Sequence, residues 1–474
     1  MSTLQSLSFF KSEMILLLGA CVTLFTESPR MGKMLPSAAA LATLAASAVL
    51  CFTGPQEPVF LFQNFYTLDG FTRFFRIFML AATAAAVLMA ASSKALSVNL
   101  FAEHVTLLLF LCFGLVLMTA STNLLSIFLS VELVSILSYL LAGFSYRDIR
   151  SKEASLKYLL FGSFCSAIML YGISLLFGLS GSLNFSEIQQ ALALPENRTA
   201  GIAALVFLLT GIGFKISMAP FHFWAPDVYE GAPAPTAAFF TVAPKAAGFA
   251  LLIRVATALF PALNEVVVHI LYTLCILTMF TGNILAMAQT QVKRLLAYSS
   301  VAQAGYLLIG AVLLTEQGFR AILVYLTAYA LANLGAFTAL MALSERGTND
   351  HLDDLAGGAR RKPFAAACFA IFLLSLAGLP PLAGFIGKFE LFSAALREGA
   401  VLLFFAAVIN SLIGAFYYFK IIKTLYFSEG LTEGSEPSPY GIPLKTVLVL
   451  TLTGTLVLGL WPSALLQFTE RLFY

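Results

Sequence analysis

Long apolar stretches follow one another along almost the whole chain, and they constrain its fold more than any other feature. A helix of roughly 20 residues crosses the hydrocarbon layer of a membrane, and apolar runs of about 18 residues or more are typical of such spans. Backbone polar groups in lipid must find partners within their own segment, so each span must be helical. The sequence therefore predicts an all-α polytopic membrane protein with about fourteen transmembrane helices.

The composition excludes several other classes of protein. Only 11% of the 474 residues are charged and the mean hydropathy is +0.90, whereas a soluble domain carries about 25% charged residues. The net charge of +3 is spread along the loops and does not indicate nucleic-acid binding. The six cysteines lie in apolar runs without a C-x-x-C pair, so we expect no iron–sulfur site, zinc site or disulfide. No nucleotide-binding motif or catalytic triad pattern is present.

The loops predict the orientation in the membrane. Lys and Arg residues are more numerous in the loops after odd-numbered spans, and such loops are typically cytoplasmic. Two clusters contribute most: Arg147, Arg150 and Lys152, and Arg360, Arg361 and Lys362. We therefore predict a multi-pass protein with both termini in the periplasm.

Two spans contain prolines beside a lysine. Pro244 directly precedes Lys245 in the eighth span (233–260), and Pro380 and Pro381 precede Lys388 in the twelfth (364–396). Proline removes a backbone donor and disturbs the preceding turn. Because broken helices at membrane depth usually line a cavity or an ion path, we predict that helices 8 and 12 are broken.

A weak internal repeat accompanies these spans. Four residues of the sixth span share their spacing with four of the eleventh: Ala154, Leu156, Tyr158 and Leu159 match Ala321, Leu323, Tyr325 and Leu326. Lys215 in the seventh span and Lys388 in the twelfth are related in the same way. Five spans separate the members of each pair, so the two copies would have opposite topology, as in many transporters.

Four ionisable residues lie well inside the apolar spans. Glu132 is near the middle of the fifth span, Lys215 is near the cytoplasmic end of the seventh, and Lys245 is near the middle of the eighth. Lys388 follows the predicted break in the twelfth. A charge at the bilayer centre costs at least about 2.5–3.5 kcal/mol on insertion scales, so such residues usually have a function.

These residues have the chemistry of a proton relay. Burial disfavours the charged form of a lysine or a glutamate, and a nearby opposite charge favours it. A Glu132–lysine pair could therefore change its charge state as its neighbours change, with water carrying protons between the sites. The alternative is a static salt bridge that holds helices together. The excess of lysines over carboxylates favours the relay, since unpaired buried lysines are costly unless they titrate.

Several further residues receive secondary roles. Lys157, in the first turns of the sixth span, is an interfacial candidate, and His222 could pass protons from the cytoplasm to Lys215. Arg254 lies towards the outer end of its span, where we expect its side chain to reach the membrane surface. Asp227 and Glu230 are interpreted as residues that cap or order a loop.

Three segments resemble a known family. FKISMAPFHFWAPDVYEGAPAPTAAFF, QVKRLLAYSSVAQAGYLLIG and GLPPLAGFIGKFELF are similar to the antiporter-like membrane subunits of proton-pumping NADH:quinone oxidoreductase, respiratory complex I. The HFWAPDVYEGAP segment and the lysine at position 388 resemble the N-type subunit most. The M-type subunit typically has a glutamate at that site, and the L-type subunit has a long lateral helix.

The resemblance implies a fold and a proton path. Spans four to eight and nine to thirteen would form two inverted five-helix repeats. Glu132 and Lys215 would be the coupling pair of the first repeat, Lys245 the central connector, and Lys388 the site facing the periplasm. Lys157 matches a further lysine of the family. The chain would divide into helices 1–3 (1–100), a first half (101–260), an inverted second half (261–428), and a loop with helix 14 (429–474).

The resemblance also implies partners and a location. NADH, flavin, iron–sulfur clusters and quinone would bind to other subunits, and this chain would bind no cofactor or metal. Its partners would be the other membrane subunits, protons, internal water and lipid in a bacterial inner membrane, without nucleic acid. Two alternatives stay open: a subunit of a multi-subunit cation/proton antiporter, and a structural membrane scaffold with static ion pairs.

Overall fold

The computed structural model describes residues 3–27, 31–52, 57–344, 351–428 and 440–472, and these residues are almost entirely helical. The α-helices in chain order are α1 (Thr3–Phe9), α2 (Lys11–Leu24), α3 (Met34–Phe52), α4 (Gly70–Ser92), α5 (Phe101–Ala120), α6 (Leu124–Ala142), α7 (Ile149–Ser180), α8 (Phe185–Leu192), α9 (Arg198–Ile216), α10 (Trp224–Gly231), α11 (Ala234–Leu259), α12 (Asn264–Met287), α13 (Val292–Leu313), α14 (Glu316–Leu343), α15 (Gly358–Arg361), α16 (Pro363–Ala377), α17 (Ala383–Arg397), α18 (Val401–Phe427), α19 (Ile442–Leu460) and α20 (Ser463–Glu470). The predicted all-α membrane fold is thereby confirmed.

Twelve helices in the described part are long and apolar enough to cross a membrane, or up to 13 if α1 and α2, which meet at a 73° bend, form one span. The shorter apolar helix α16 and the following α17 occupy the predicted twelfth span. The predicted total of fourteen therefore depends on counting α1–α2 and α16–α17 as one span each, and it stays a prediction.

A short β-hairpin, which the sequence did not predict, connects α3 to α4. Strands β1 (Val59–Leu61) and β2 (Tyr66–Leu68) pair antiparallel, with Val59 opposite Leu68. The three residues from Phe62 to Asn64 all have positive φ and turn the chain between the strands. The hairpin contacts the α5–α6 junction, because the Thr122 N–H donates to the Phe65 carbonyl at 3.0 Å.

The central helix of the molecule is α11. Within its apolar stretch of 18 residues, 100% of the residues of α11 are buried. The corresponding fractions are 94% for α13 and 83% for α14. In α3 and α19 only 33% of the residues of the corresponding stretch are buried, as expected for helices that face lipid or other subunits. Helices α4, α5, α9 and α14 pack around α11. The lysine on α11 therefore lies in the interior of the protein.

The predicted break in the eighth span is wrong. Helix α11 runs without interruption from Ala234 to Leu259, with Pro244 inside it. Proline has no N–H to donate to the carbonyl four residues earlier, which here is that of Phe240. The Tyr229 hydroxyl donates to this carbonyl instead, at 3.3 Å. The next carbonyl, of Thr241, accepts a 3.0 Å hydrogen bond from Tyr329. Side chains from two neighbouring helices thus supply donors at the proline, and the helix continues.

The structure has breaks in the seventh and twelfth spans instead. Helix α9 ends at Ile216, where Ser217 is left-handed with φ 58°, and a turn leads into α10. Helix α16 ends at Ala377, where Gly378 has φ 89°, and a turn leads into α17. The break in the twelfth span was predicted, and the one in the seventh was not. Each break leaves helix-terminal carbonyls that need donors.

Candidate functional site

Lys215 lies in the last turn of α9 and is fully buried. Its ammonium donates to the Ser135 hydroxyl of α6 at 2.7 Å and lies 5.6 Å from the centre of the Phe214 ring. Ser135 is seven residues, or about 10 Å of helix rise, from the end of α6 at Ala142. Lys215 lies near the end of α9, as predicted, and the chain continues through a turn into α10. That this end is the cytoplasmic one stays a prediction.

Glu132 lies on the same helix as Ser135, one turn before it. It belongs to the outer stripe of α6, between Leu129 and Ile136, which are 54% and 55% exposed. Its Oε1 atom is nevertheless buried and has no hydrogen-bond partner among the described residues. Lys215 donates to Ser135, which lies one turn of α6 from Glu132. Among the described residues, Lys215 and Glu132 form no direct ion pair.

Lys245 is buried at the centre of α11. Its ammonium donates to both the hydroxyl and the backbone carbonyl of Ser300 on α13, each at 2.8 Å. The Tyr229 ring centre is 5.9 Å away. Gly248 lies one turn after Lys245 on α11 and faces α9. A Cβ at Gly248 would lie 3.4 Å from the Cβ of Lys215. The absence of a side chain at Gly248 lets α9 approach close to Lys245.

Lys388, on α17, is buried against the end of the preceding helix. Its ammonium donates to the Ala377 carbonyl and to the Ser411 hydroxyl, both at 3.1 Å, and lies 4.6 Å from the Tyr306 ring centre. Ala377 is the last residue of α16, so the lysine faces the carbonyl end of a helix, which favours a cation. The break in the twelfth span therefore creates the acceptor for Lys388.

The three lysines share one arrangement. Each donates to a serine hydroxyl from a different helix: Ser135, Ser300 or Ser411. Within the described residues, none of the three forms an ion pair with a carboxylate. A hydroxyl can accept from an ammonium and can donate to a neutral amine. In the structure each hydroxyl accepts from its lysine while its own proton is donated to a backbone carbonyl, that of Val131, Ala297 or Ala377. Rotation of the hydroxyl would let it donate to a neutral amine instead.

Buried arginines are held in the opposite manner. Arg254 of α11 binds Asp69, the N-cap of α4, at 2.9 and 3.0 Å and the Thr72 hydroxyl at 2.7 Å. That its side chain reaches the membrane surface stays a prediction. Burial alone would raise the pKa of Asp69, but the Arg254 guanidinium lowers it below its ordinary value. Arg76 of α4 forms a buried ion pair with Glu13 of α2, a contact that the sequence did not indicate. Arginine stays protonated in proteins, so these are permanent ion pairs.

Lys157 lies at the margin of the molecule, as its position near the interface predicted. Its side chain is 45% exposed and pairs with Glu153 and Asp227, each at 2.7 Å. Asp227 also pairs with Arg294 at 2.5 Å, and Glu230 pairs with the same arginine at 3.0 Å. Asp227 and Glu230 therefore connect α10 to α7 and α13, a larger role than the predicted capping.

His222 lies in the turn between α9 and α10 and is 2% exposed. Neither ring nitrogen has a hydrogen-bond partner among the described residues, and the ring packs 4.6 Å from that of Phe223. A buried imidazole with both nitrogens unused is costly unless water or a moving partner satisfies it. The geometry is compatible with the predicted accessory role, although no direct contact joins His222 to Lys215.

Comparisons with known proteins identify the family of this chain. Residues 121–414 match the family model for the transmembrane part of NADH:quinone oxidoreductase and Mrp antiporter subunits. This chain belongs to that family. NADH-quinone oxidoreductase subunit N of Moorella thermoacetica is 38% identical over 449 residues, covering 94% of this chain and 92% of that protein. NAD(P)H-quinone oxidoreductase subunit 2 of a Synechococcus strain is 41% identical, covering 93% and 85%.

Solved structures of the family have the same fold. A chain of respiratory complex I from Thermus thermophilus superposes with a TM-score of 0.81 at 32% identity, covering 96% of this chain and 98% of that one. A chain of the Mrp complex from a Dietzia strain gives a TM-score of 0.82 at 20% identity, which indicates a shared fold only. The predicted resemblance to the N-type subunit of complex I is confirmed.

The family model begins after α5, so its matched region contains all four buried residues of the predicted relay but not the Glu13–Arg76 pair. The sequence missed the three serines that receive the lysines. Their only signal was the presence of hydroxyls within apolar helices, as in the Ser299–Ser300 pair of α13. Hydroxyls in such helices usually bond to their own backbone, so this signal is weak.

Proposed function

We propose that this chain moves protons across a bacterial inner membrane as the N-type subunit of a proton-pumping NADH:quinone oxidoreductase. Glu132, Lys215, Lys245 and Lys388 form the relay, with Lys157 and His222 as accessory residues. Electron transfer takes place on partner subunits, which hold NADH, flavin, iron–sulfur clusters and quinone. The relay lies in the two proposed halves, 101–260 and 261–428, with both chain termini periplasmic.

One observation carries this proposal: Lys215, Lys245 and Lys388 bind to serine hydroxyls, whereas Arg76 and Arg254 bind to carboxylates. A scaffold with static charges would use permanent ion pairs, and here arginine forms them. A relay needs sites that can both hold and release a proton, and a lysine beside a hydroxyl meets this need. The structure-based argument therefore favours the relay over the scaffold.

Glu132 supports a link to a neighbouring subunit. It lies on the exposed stripe of α6, where a carboxylate facing lipid alone would be costly. A neighbouring membrane subunit covering this stripe would supply polar partners for the carboxylate. Such a contact would connect the charge state of Lys215 to events outside this chain.

The test uses the intact complex in sealed membrane vesicles. Glu132→Gln and Lys215→Met keep the side-chain shape and remove the titrating group, and we expect each to lower proton pumping about tenfold or more with normal assembly. Lys445→Met, at an exposed position of α19, is the control and should pump normally. Normal pumping by both relay variants would contradict the proposal and favour a scaffold.

The antiporter alternative predicts a different cation dependence. A cation/proton antiporter exchanges sodium for protons, so its proton movement would require sodium and would not require electron transfer. For the proposed function, pumping should stop when electron transfer is inhibited and should persist without sodium. Sodium-dependent proton movement in the absence of electron transfer would identify the antiporter.

A further inference from the structure

Between Lys245 and Lys388 lies a buried glutamine that the proposed relay does not include. Gln303 is on α13, one turn after Ser300, and its side chain is 1% exposed. An amide inside the membrane is costly unless it is hydrogen-bonded. Gln303 contacts side chains or backbone of three other helices, α14, α16 and α18.

Both ends of the Gln303 amide are engaged. Its Nε2 donates to the Tyr418 hydroxyl at 3.0 Å and to the Leu376 carbonyl at 3.2 Å, so both amide protons are used. Its Oε1 accepts a short hydrogen bond from the Tyr325 hydroxyl. With this pattern the amide has one favourable orientation, because a flip would place its oxygen against the Leu376 carbonyl and leave that carbonyl without a donor.

The contacts of Gln303 lead in two directions. Towards Lys245, the Tyr418 hydroxyl also bonds to the hydroxyl of Ser299, the residue next to the Lys245 partner Ser300. Towards Lys388, Leu376 is adjacent to Ala377, whose carbonyl receives the Lys388 ammonium at 3.1 Å. The hydrogen bonds of Gln303 thus reach the residue next to the partner of each lysine, Ser299 beside Ser300 and Leu376 beside Ala377.

We propose that Gln303 is a positioning residue for proton transfer between Lys245 and Lys388, an inference that rests on the proposed function. An amide does not gain or lose a proton readily, so Gln303 does not carry the proton itself. It fixes the direction of the Tyr325 and Tyr418 hydroxyls, and these orient the path along which hydroxyls and water pass the proton. Loss of the amide would remove the acceptor of the Tyr325 hydroxyl and would leave the Tyr418 hydroxyl with Ser299 as its remaining contact of this network.

The experiment compares two substitutions in the intact complex in sealed vesicles. Gln303→Leu keeps the volume and removes every hydrogen bond, and we expect assembly to be normal and pumping to fall about tenfold. Gln303→Glu keeps the acceptor for Tyr325 and, when protonated, one donor. Relative to the unchanged complex, its pumping should approach normal at low pH and fall as pH rises, because a carboxylate cannot donate to Tyr418. The titratable groups around this network are Tyr306, Tyr325, Tyr329, Tyr417, Tyr418, Lys245 and Lys388.

Controls separate the possible outcomes. Gln289→Leu is the control and should pump normally. Among the described residues, the Gln289 side chain bonds only to the Leu285 carbonyl in the last turn of α12. Normal pumping by Gln303→Leu, or an unchanged pH profile for Gln303→Glu, would overturn the positioning role. Lys388→Met in the same assay tests the relay itself. If Lys388→Met pumps normally, the proposed function fails. If Lys388→Met does not pump but Gln303→Leu pumps normally, only the inference about Gln303 is overturned.

Discussion

At the residue scale, the protein treats its two kinds of buried cation differently. The relay lysines receive neutral acceptors and an aromatic ring within about 6 Å, a distance at which ring faces attract cations. Arg76 and Arg254 instead receive the carboxylates of Glu13 and Asp69. The division follows from chemistry, since lysine can lose its proton when buried and arginine cannot. Under the proposed function, the sites that change charge and the sites that keep it therefore differ in their partners.

This division predicts how the Glu13–Arg76 pair responds to substitution. Arg76→Met leaves the Glu13 carboxylate buried without its partner, and we expect a loss of about 3–5 kcal/mol of stability. The double variant Glu13→Leu with Arg76→Met should recover most of that loss and should pump protons normally. Thermal unfolding of the purified complex measures the first effect, and vesicle pumping measures the second.

Lys11→Met, at an exposed position on the same helix, is the matched control and should change neither quantity. A double variant that is stable but does not pump would show that this pair takes part in transport and is not only structural.

At the element scale, the contrast between α11 and α9 shows what decides whether a span breaks. Helix α11 contains Pro244 and continues, because Tyr229 and Tyr329 donate to the carbonyls of the preceding turn. Helix α9 contains no proline before its end, and it stops at Ser217 in a left-handed conformation. A proline marks a missing donor, but only the neighbouring helices determine whether another donor replaces it.

The proline in α11 yields a double-mutant prediction. Tyr229→Phe leaves the Phe240 carbonyl without a donor, and we expect a loss of about 1–3 kcal/mol of stability. Pro244→Ala supplies a backbone N–H for that carbonyl, so Tyr229→Phe should cost less in the Pro244→Ala background. Thermal unfolding of the four proteins gives the coupling between the two positions. Equal costs in both backgrounds would mean that the tyrosine does not compensate for the proline.

At the scale of the whole molecule, an ion-pair cluster joins the two proposed halves. Asp227 and Glu230 of α10 bind Arg294 of α13, and Lys157 of α7 binds Asp227 from the other side. Helix α10 packs against both α7 and α13. Because Lys215 precedes α10 and Lys245 contacts α13, this cluster connects the elements that hold two of the proposed relay residues.

The cluster predicts unequal effects of its two cations. Arg294→Met leaves two partly buried carboxylates without their shared partner, and we expect a loss of about 2 kcal/mol together with faster hydrogen exchange in α10. Lys157→Met should cost less than about 1 kcal/mol, because an exposed ion pair contributes little. Hydrogen exchange of the purified complex measures both variants, and a larger effect for Lys157→Met would contradict this view of the cluster.

The sequence by itself determined the spans, their helical form and the burial of Lys215, Lys245 and Lys388. These follow locally, because an apolar segment in lipid must satisfy its backbone within itself and cannot expose a charge cheaply. The motifs around these lysines also determined the family.

Only the tertiary structure decided which atoms the lysines meet and where the spans break. Ser135 is 80 residues from Lys215, and Ser300 is 55 from Lys245, so these partners depend on how distant helices pack. The same holds for Tyr229 at the proline of α11 and for the carboxylates that hold the arginines. A hydrogen bond in a membrane interior forms wherever packing brings a donor to an acceptor, and no local pattern in the sequence specifies that meeting.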